Sequence, residues 1–164
     1  MAFALTADMR AVVKAAHLAF AATVGADGRP NLSPKGTIRV YDDHHLCFLD
    51  IASPRTRANL EQRPWMEINV VDALSRRGYR FAGPAKSHAP SSAEFARASE
   101  ILRRDDSNAY PALGVVVLAV VEAAPVRSPG YRFVRDEADM RAVWRKRRDA
   151  LDAEFDEFLL RARP

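Results

Sequence analysis

The stretch Thr23-Val24-Gly25-Ala26-Asp27-Gly28-Arg29-Pro30-Asn31-Leu32-Ser33-Pro34-Lys35-Gly36 decides the reading of this chain. Asp-Gly between two β-prone runs predicts a hairpin. The second strand then runs into Ser33-Pro34-Lys35-Gly36, a polar segment in which Pro34 removes a ladder donor and Gly36 admits another group close to the backbone. Something other than a neighbouring strand is expected against it, and such a surface suits a planar ligand.

Outward from the hairpin, strands are predicted at about 18–25, 30–40, 45–51, 65–72, 78–87 and 113–126. Thr6 caps a helix at about 6–17 whose Met9, Val12, Val13 and Ala16 form one apolar face. Ser53-Pro54 starts a short helix that ends at Arg63-Pro64, and another is expected at about 91–104. Met140, Val143, Trp144, Leu151, Phe155, Phe158 and Leu159 keep a helical period through 135–161, so that long helix must cover the sheet or a second subunit. Short strands with hairpin connections predict a closed or partly open antiparallel barrel, mainly β with flanking helices, in one domain over 1–164.

With 164 residues and 48% apolar composition, the chain can bury a sizeable core. A net charge of +4 favours anionic partners but does not choose between a phosphate-bearing cofactor and nucleic acid. The basic run Arg145-Lys146-Arg147-Arg148 is followed by acids at pairing distance, so it reads as a solvated helix face rather than a nucleic-acid patch. The longest apolar run, Ala112–Val121, is too short to span a bilayer. The first residues lack the pattern of a secretory signal, and a cytoplasmic protein is expected. Cys47 sits inside an apolar strand as a small hydrophobe. The histidines, His17, His44, His45 and His88, lack metal-ligand spacing, so no metal is expected.

Two clusters of cations suggest a bound anion. The helix start Ser53-Pro54-Arg55-Thr56-Arg57 combines fixed charge, a hydroxyl and free N–H groups, which is what a phosphate requires. Lys35 and Arg39 lie four apart in the predicted strand 30–40 and should share a face, as should Arg80 and Lys86, an even number apart in a later strand.

Taken together, Asp27-Gly28-Arg29-Pro30, Asn31–Gly36, Val40-Tyr41-Asp42-Asp43, Ser53–Leu60 and Tyr79–Gly83 resemble the pyridoxamine 5′-phosphate oxidase-like family of flavin-binding split barrels, over about residues 17–88. The resemblance implies a six-stranded antiparallel Greek-key barrel that forms a homodimer with FMN in a groove between subunits. It implies that Ser33, Pro34, Lys35 and Gly36 border the isoalloxazine and that Arg55, Thr56 and Arg57 hold the phosphate, with Arg39 and Arg80 as further candidates. The chain departs from the true oxidase, having Gly78 where that pattern carries glutamine and lacking its Arg/His-containing C-terminal segment. Pyridoxamine phosphate oxidation is therefore not expected. Two functions remain open: an FMN-dependent oxidoreductase taking electrons from NAD(P)H or another donor to a small-molecule substrate, or a non-catalytic binding or sensing module. Deazaflavin F420 and haem are the alternative ligands.

Overall fold

A computed structural model of the chain describes residues 3–105 and 111–161. They fall into two compact units, one containing the residues up to Val71 together with Gly78–Val126, the other Asp72–Arg77 with the residues from Arg127 onward. The first unit is an antiparallel curled sheet with three helices. Its elements are α1 (Ala7–Ala16), β1 (Ala19–Val24), β2 (Pro30–Lys35), β3 (Arg39–Val40), β4 (His45–Asp50), α2 (Pro54–Gln62), β5 (Trp65–Asp72), β6 (Arg77–His88), α3 (Ala93–Asp105), β7 (Gly114–Ala119) and β8 (Glu122–Arg127).

The strand order is β2-β1-β5-β6-β7-β4-β3, with β8 also on β6. β2 and β3 are consecutive in sequence yet stand at opposite ends of this order, so the link Gly36–Ile38 can span the gap only because the sheet curls until its ends meet. This is the split barrel. The sequence predicts six strands and the structure has eight, because two of the predicted strands bend. The 30–40 strand breaks at Gly36, where it leaves β1 and joins β4 through Arg39↔Cys47 and Val40↔Leu46. The 113–126 strand breaks at Val120, whose N–H goes to His44 O at 2.9 Å, while Val121 N bonds Ala82 O at 3.0 Å. Gly83 permits that bend: a Cβ there would lie 1.9 Å from Ala119 O.

Three local choices place the open edge of the sheet. The side chain of Thr6 caps α1 by accepting from Met9 N, which stabilises such a helix by about 1 kcal/mol. The β1–β2 hairpin turns through Gly28 at φ 78°, a conformation glycine adopts without strain. β2 then pairs with β1 in register from Val24↔Pro30 to Ala19↔Lys35, so the polar Ser33-Pro34-Lys35 segment is ordinary ladder on that side. The expectation that a neighbouring strand would be missing there is corrected. β2 is an edge strand, where a proline's missing donor is tolerated, and only its outer edge is open.

Ile38, Leu46, Phe48, Met66, Ile68, Val70, Phe81, Val116 and Leu118 fill the barrel interior, closed by Val12 and Val13 of α1 and Leu60 of α2. Each such side chain contributes roughly 1.5–3 kcal/mol. Cys47, Leu49 and Val115 point to the other face and pack beneath Ala98 and Leu102 of α3.

The second unit is built on the turn Asp72–Arg77, a short 3-10 turn at Pro129–Arg132, and the helix α4 (Glu137–Arg161). Asp72 accepts the N–H groups of Leu74 and Ser75 and pairs with Arg141. Arg77 pairs with Glu137 at 2.9 Å, Tyr131 donates its hydroxyl to Ser75 O at 2.6 Å, and the Arg76 guanidinium lies 4.1 Å from the Trp144 ring centre.

Candidate functional site

The end of β2 and the start of α2 together build a polar centre around a buried ammonium. Lys35 is only 5% exposed. Its Nζ donates to Ser33 Oγ at 2.8 Å and to Ser53 Oγ at 2.5 Å, and it lies 5.0 Å from the centre of the Phe48 ring. Burial pushes the lysine below its ordinary pKa, and the neighbouring Asp50 opposes that shift only in part. The alternation of β2 aims Ser33 and Lys35 the same way, which brings the hydroxyl beside the ammonium.

Asp50, at the end of β4, organises the turn into α2. One carboxylate oxygen accepts from Ser53 N at 2.9 Å, and the other is 3.5 Å from Arg57 Nη1 without a hydrogen-bond partner. Because the Ser53 hydroxyl is committed to Lys35, it makes no side-chain cap on α2, and Pro54 has no N–H to offer. The nine-residue helix therefore begins with its N-terminal dipole and first-turn donors uncapped by any side chain. Arg55 stands exposed at this opening with no partner among the described residues. One carboxylate thus faces Lys35 and Arg57, with Arg55 exposed on the first turn of the helix beside them, and this centre fits an anionic group.

The predicted site residues are not all brought here. Thr56 is 1% exposed, and its hydroxyl accepts from Asn31 Nδ2 at 3.3 Å. Thr23 accepts from both Asn31 and Asn59, so this amide–hydroxyl network ties the hairpin to α2. Arg55 and Arg57, two apart on a helix, diverge: Arg55 faces solvent and Arg57 faces Asp50. Pro34 and Gly36 are exposed on the open edge beside Lys35. Arg39 does not share the face of Lys35, because the break at Gly36 intervenes. Its register partner is Cys47, on the side covered by α3, and it donates to Ile38 O at 2.8 Å. Arg80 lies out on the sheet, paired with Glu67 at 2.9 Å.

Sequence reasoning missed two features. Asp50 was legible as an acid three residues before Ser53, at the spacing of a carboxylate that accepts a turn N–H. The other is a cavity of about 850 Å³ bordered by Arg57, Leu60, Lys86, His88, Leu113 and Val117. No local motif announces it, because its walls come from α2, β6 and β7 and meet only in the fold. His88 approaches Glu94 through Nδ1 at 3.4 Å, and His45, also on the rim, pairs with Asp42 at 2.7 Å. Arg57 borders this cavity and the Lys35 centre alike, linked to the latter through Asp50 and Ser53.

Burial pushes the Cys47 thiol up to about 12, which leaves it a packing residue. Among the described residues no group of three or more His, Cys, Asp or Glu side chains is placed to hold a metal, and no helix is long and apolar enough to cross a membrane.

A curled antiparallel barrel with an anion-ready helix start defines a split-barrel binding protein. The sequence profile of the pyridoxamine 5′-phosphate oxidase family matches residues 5–127, and the chain belongs to that family. Among solved structures it is similar to HupZ of Group A Streptococcus, with 28% identity over 76% of this chain and 95% of that one and a TM-score of 0.67. It shares its fold with an FMN-binding protein of Syntrophomonas wolfei (18% identity, 74% and 90% covered, TM-score 0.55). It shares it also with HutZ, the heme storage protein of Vibrio cholerae (17%, 76% and 95%, TM-score 0.55). No curated protein matches the chain.

Proposed function

We propose that this chain binds FMN at the Lys35–Ser53–Arg55 centre and works as a flavin-dependent oxidoreductase on a small molecule. The observation that carries the reading is the charge imbalance at an uncapped helix start: Lys35, Arg55 and Arg57 stand against the single carboxylate of Asp50. In this reading Arg55 and the first-turn N–H groups of α2 take the phosphate. Lys35 and Ser33 lie at the ring edge, where a fixed cation favours the anionic reduced cofactor. FMN, when bound, supplies the hydride and electron chemistry. Arg57 and Thr56 position the helix rather than touch the ligand.

Homodimer formation belongs to the same proposal. Phe20, Leu32 and Trp65 are 43%, 66% and 52% exposed. Phe20 and Leu32 belong to the paired β1 and β2, next to Ser33 and Pro34. A second subunit on this face, opposite the one that Ser33 and Lys35 take, would cover these apolar side chains and the open edge of β2 beside them. Family membership and the fold shared with an FMN-binding protein support the ligand; the departures at Gly78 and in the C-terminal segment argue against pyridoxamine phosphate as substrate.

A haem-binding reading has one structural feature in its favour, His88 on the rim of the apolar cavity with Nδ1 turned toward Glu94. An absorption spectrum of the protein with FMN, then with NADH or NADPH, decides among these. Flavin bands that sharpen on binding and bleach with the nicotinamide support the oxidoreductase. Binding without bleaching supports the sensing module. Absence of flavin binding, with a Soret band on adding haemin, overturns the proposal.

A further inference from the structure

The second half of α4 presents its side chains to solvent. From Arg145 to Phe158 every side chain is exposed. Leu151, Phe155 and Phe158 remain 56%, 59% and 63% exposed, with the two phenylalanine rings stacked 6.5 Å apart. An isolated stretch of about fourteen residues is marginal as a helix in water, so this one needs a partner. With Arg148 the three residues follow a 3-4-3 spacing, the narrow seam by which one helix docks on another.

We propose that this segment is the docking surface for a second copy of the chain, the two helices crossing antiparallel near Leu151. The charge pattern selects that occupant. Arg145, Lys146, Arg147 and Arg148 form a basic block, and Asp149, Asp152, Glu154, Asp156 and Glu157 form the acidic block that follows. Antiparallel pairing sets Arg147 against the partner's Glu154 and Arg145 against the partner's Asp152, while Leu151 and Phe155 interleave along the seam. A parallel pair would set cation on cation. An anionic membrane would meet carboxylates flanking the phenylalanines and be repelled. The internal pairs of Arg148 with Asp149 and Asp152, at 3.6 and 4.0 Å between largely exposed groups, are too weak to hold the charges within one helix.

This proposal is independent of the flavin reading and of the β1–β2 face, and its test keeps them apart. In a Leu32→Glu background, which disables that face, the full chain is compared with R145E/R147E, with D152K/E154K and with all four changes together by sedimentation equilibrium. The expected result is self-association in the parent, a loss of at least tenfold in each double variant, and recovery both in their equimolar mixture and in the fourfold variant. A monomeric parent, or double variants that associate like it, or a fourfold variant that does not recover, overturns the antiparallel pair. The flavin spectrum of the chain without the Leu32→Glu change reports separately on the ligand site.

Discussion

Lys35 is the residue on which the site turns. An ammonium buried against two hydroxyls carries a desolvation penalty that a bound anion would relieve, so its titration should follow ligation. Its folded pKa is lowered, so its charge is lost as pH rises through a value below the ordinary 10.5. FMN affinity is therefore expected to fall at a lower pH in the wild type than an ordinary lysine would dictate, and Lys35→Met should flatten the profile; fluorescence titrations across pH check both. Arg55 differs, being exposed and without a described partner. Replacing it with alanine should leave the melting temperature unchanged. It should weaken FMN by about 10- to 100-fold, the equivalent of a charged hydrogen bond worth roughly 1.5–3 kcal/mol. Equal affinity in the variant would remove Arg55 from the phosphate.

Legibility in the sequence followed the range of the interaction. Arg55 and Lys35 could be named because helix starts and strand alternation are local rules. Arg39 does not share the face of Lys35 because the rule that four residues along a strand do so needs an unbroken strand, and the turn at Gly36 carries the chain from β2 across the barrel to β3, which pairs with β4. Thr56 is named as a hydroxyl donor from its place at the helix start, and no local rule finds that its oxygen also accepts from Asn31, a partner 25 residues away. The cavity beside Arg57, assembled from distant segments, left no local trace.

At the scale of elements, α4 is anchored by charge at one end. Burial by itself would raise Asp72, but the N–H groups of Leu74 and Ser75 and the Arg141 guanidinium outweigh it and hold the carboxyl below its ordinary 3.8. Glu137 is likewise lowered, chiefly by its bond from Arg77. Carboxyls depressed in the folded state stabilise it above their unfolded values and lose that contribution as pH falls through the folded ones. The Trp144 environment, stacked on Arg76, should accordingly loosen below about pH 4. A shift of its tryptophan fluorescence on acidification measures this, with Trp65→Phe removing the other indole. Asp72→Asn should move the onset to higher pH, since it keeps the shape and removes one of the two charges facing Arg141.

For the whole molecule, the exposed apolar residues of β1, β2 and β5 predict assembly. Leu32→Glu, at a site 66% exposed, should leave the barrel's far-ultraviolet circular dichroism intact while weakening dimers through that face. Loss of FMN together with that interface, followed by sedimentation velocity with flavin absorbance, would place the ring between subunits. Retention of FMN by the separated subunit would place the ligand within one chain.

The link Gly36–Ile38 also limits how the barrel can breathe. Four Cα steps separate Lys35 from Arg39, so the two edges of the sheet can never stand farther apart than about 14 Å. That seam is leashed. Whatever parts β2 from β3 at this end must fit within that span. The helix α1 packs beside β3, so the strand that this link ties to Lys35 is itself held by a helix.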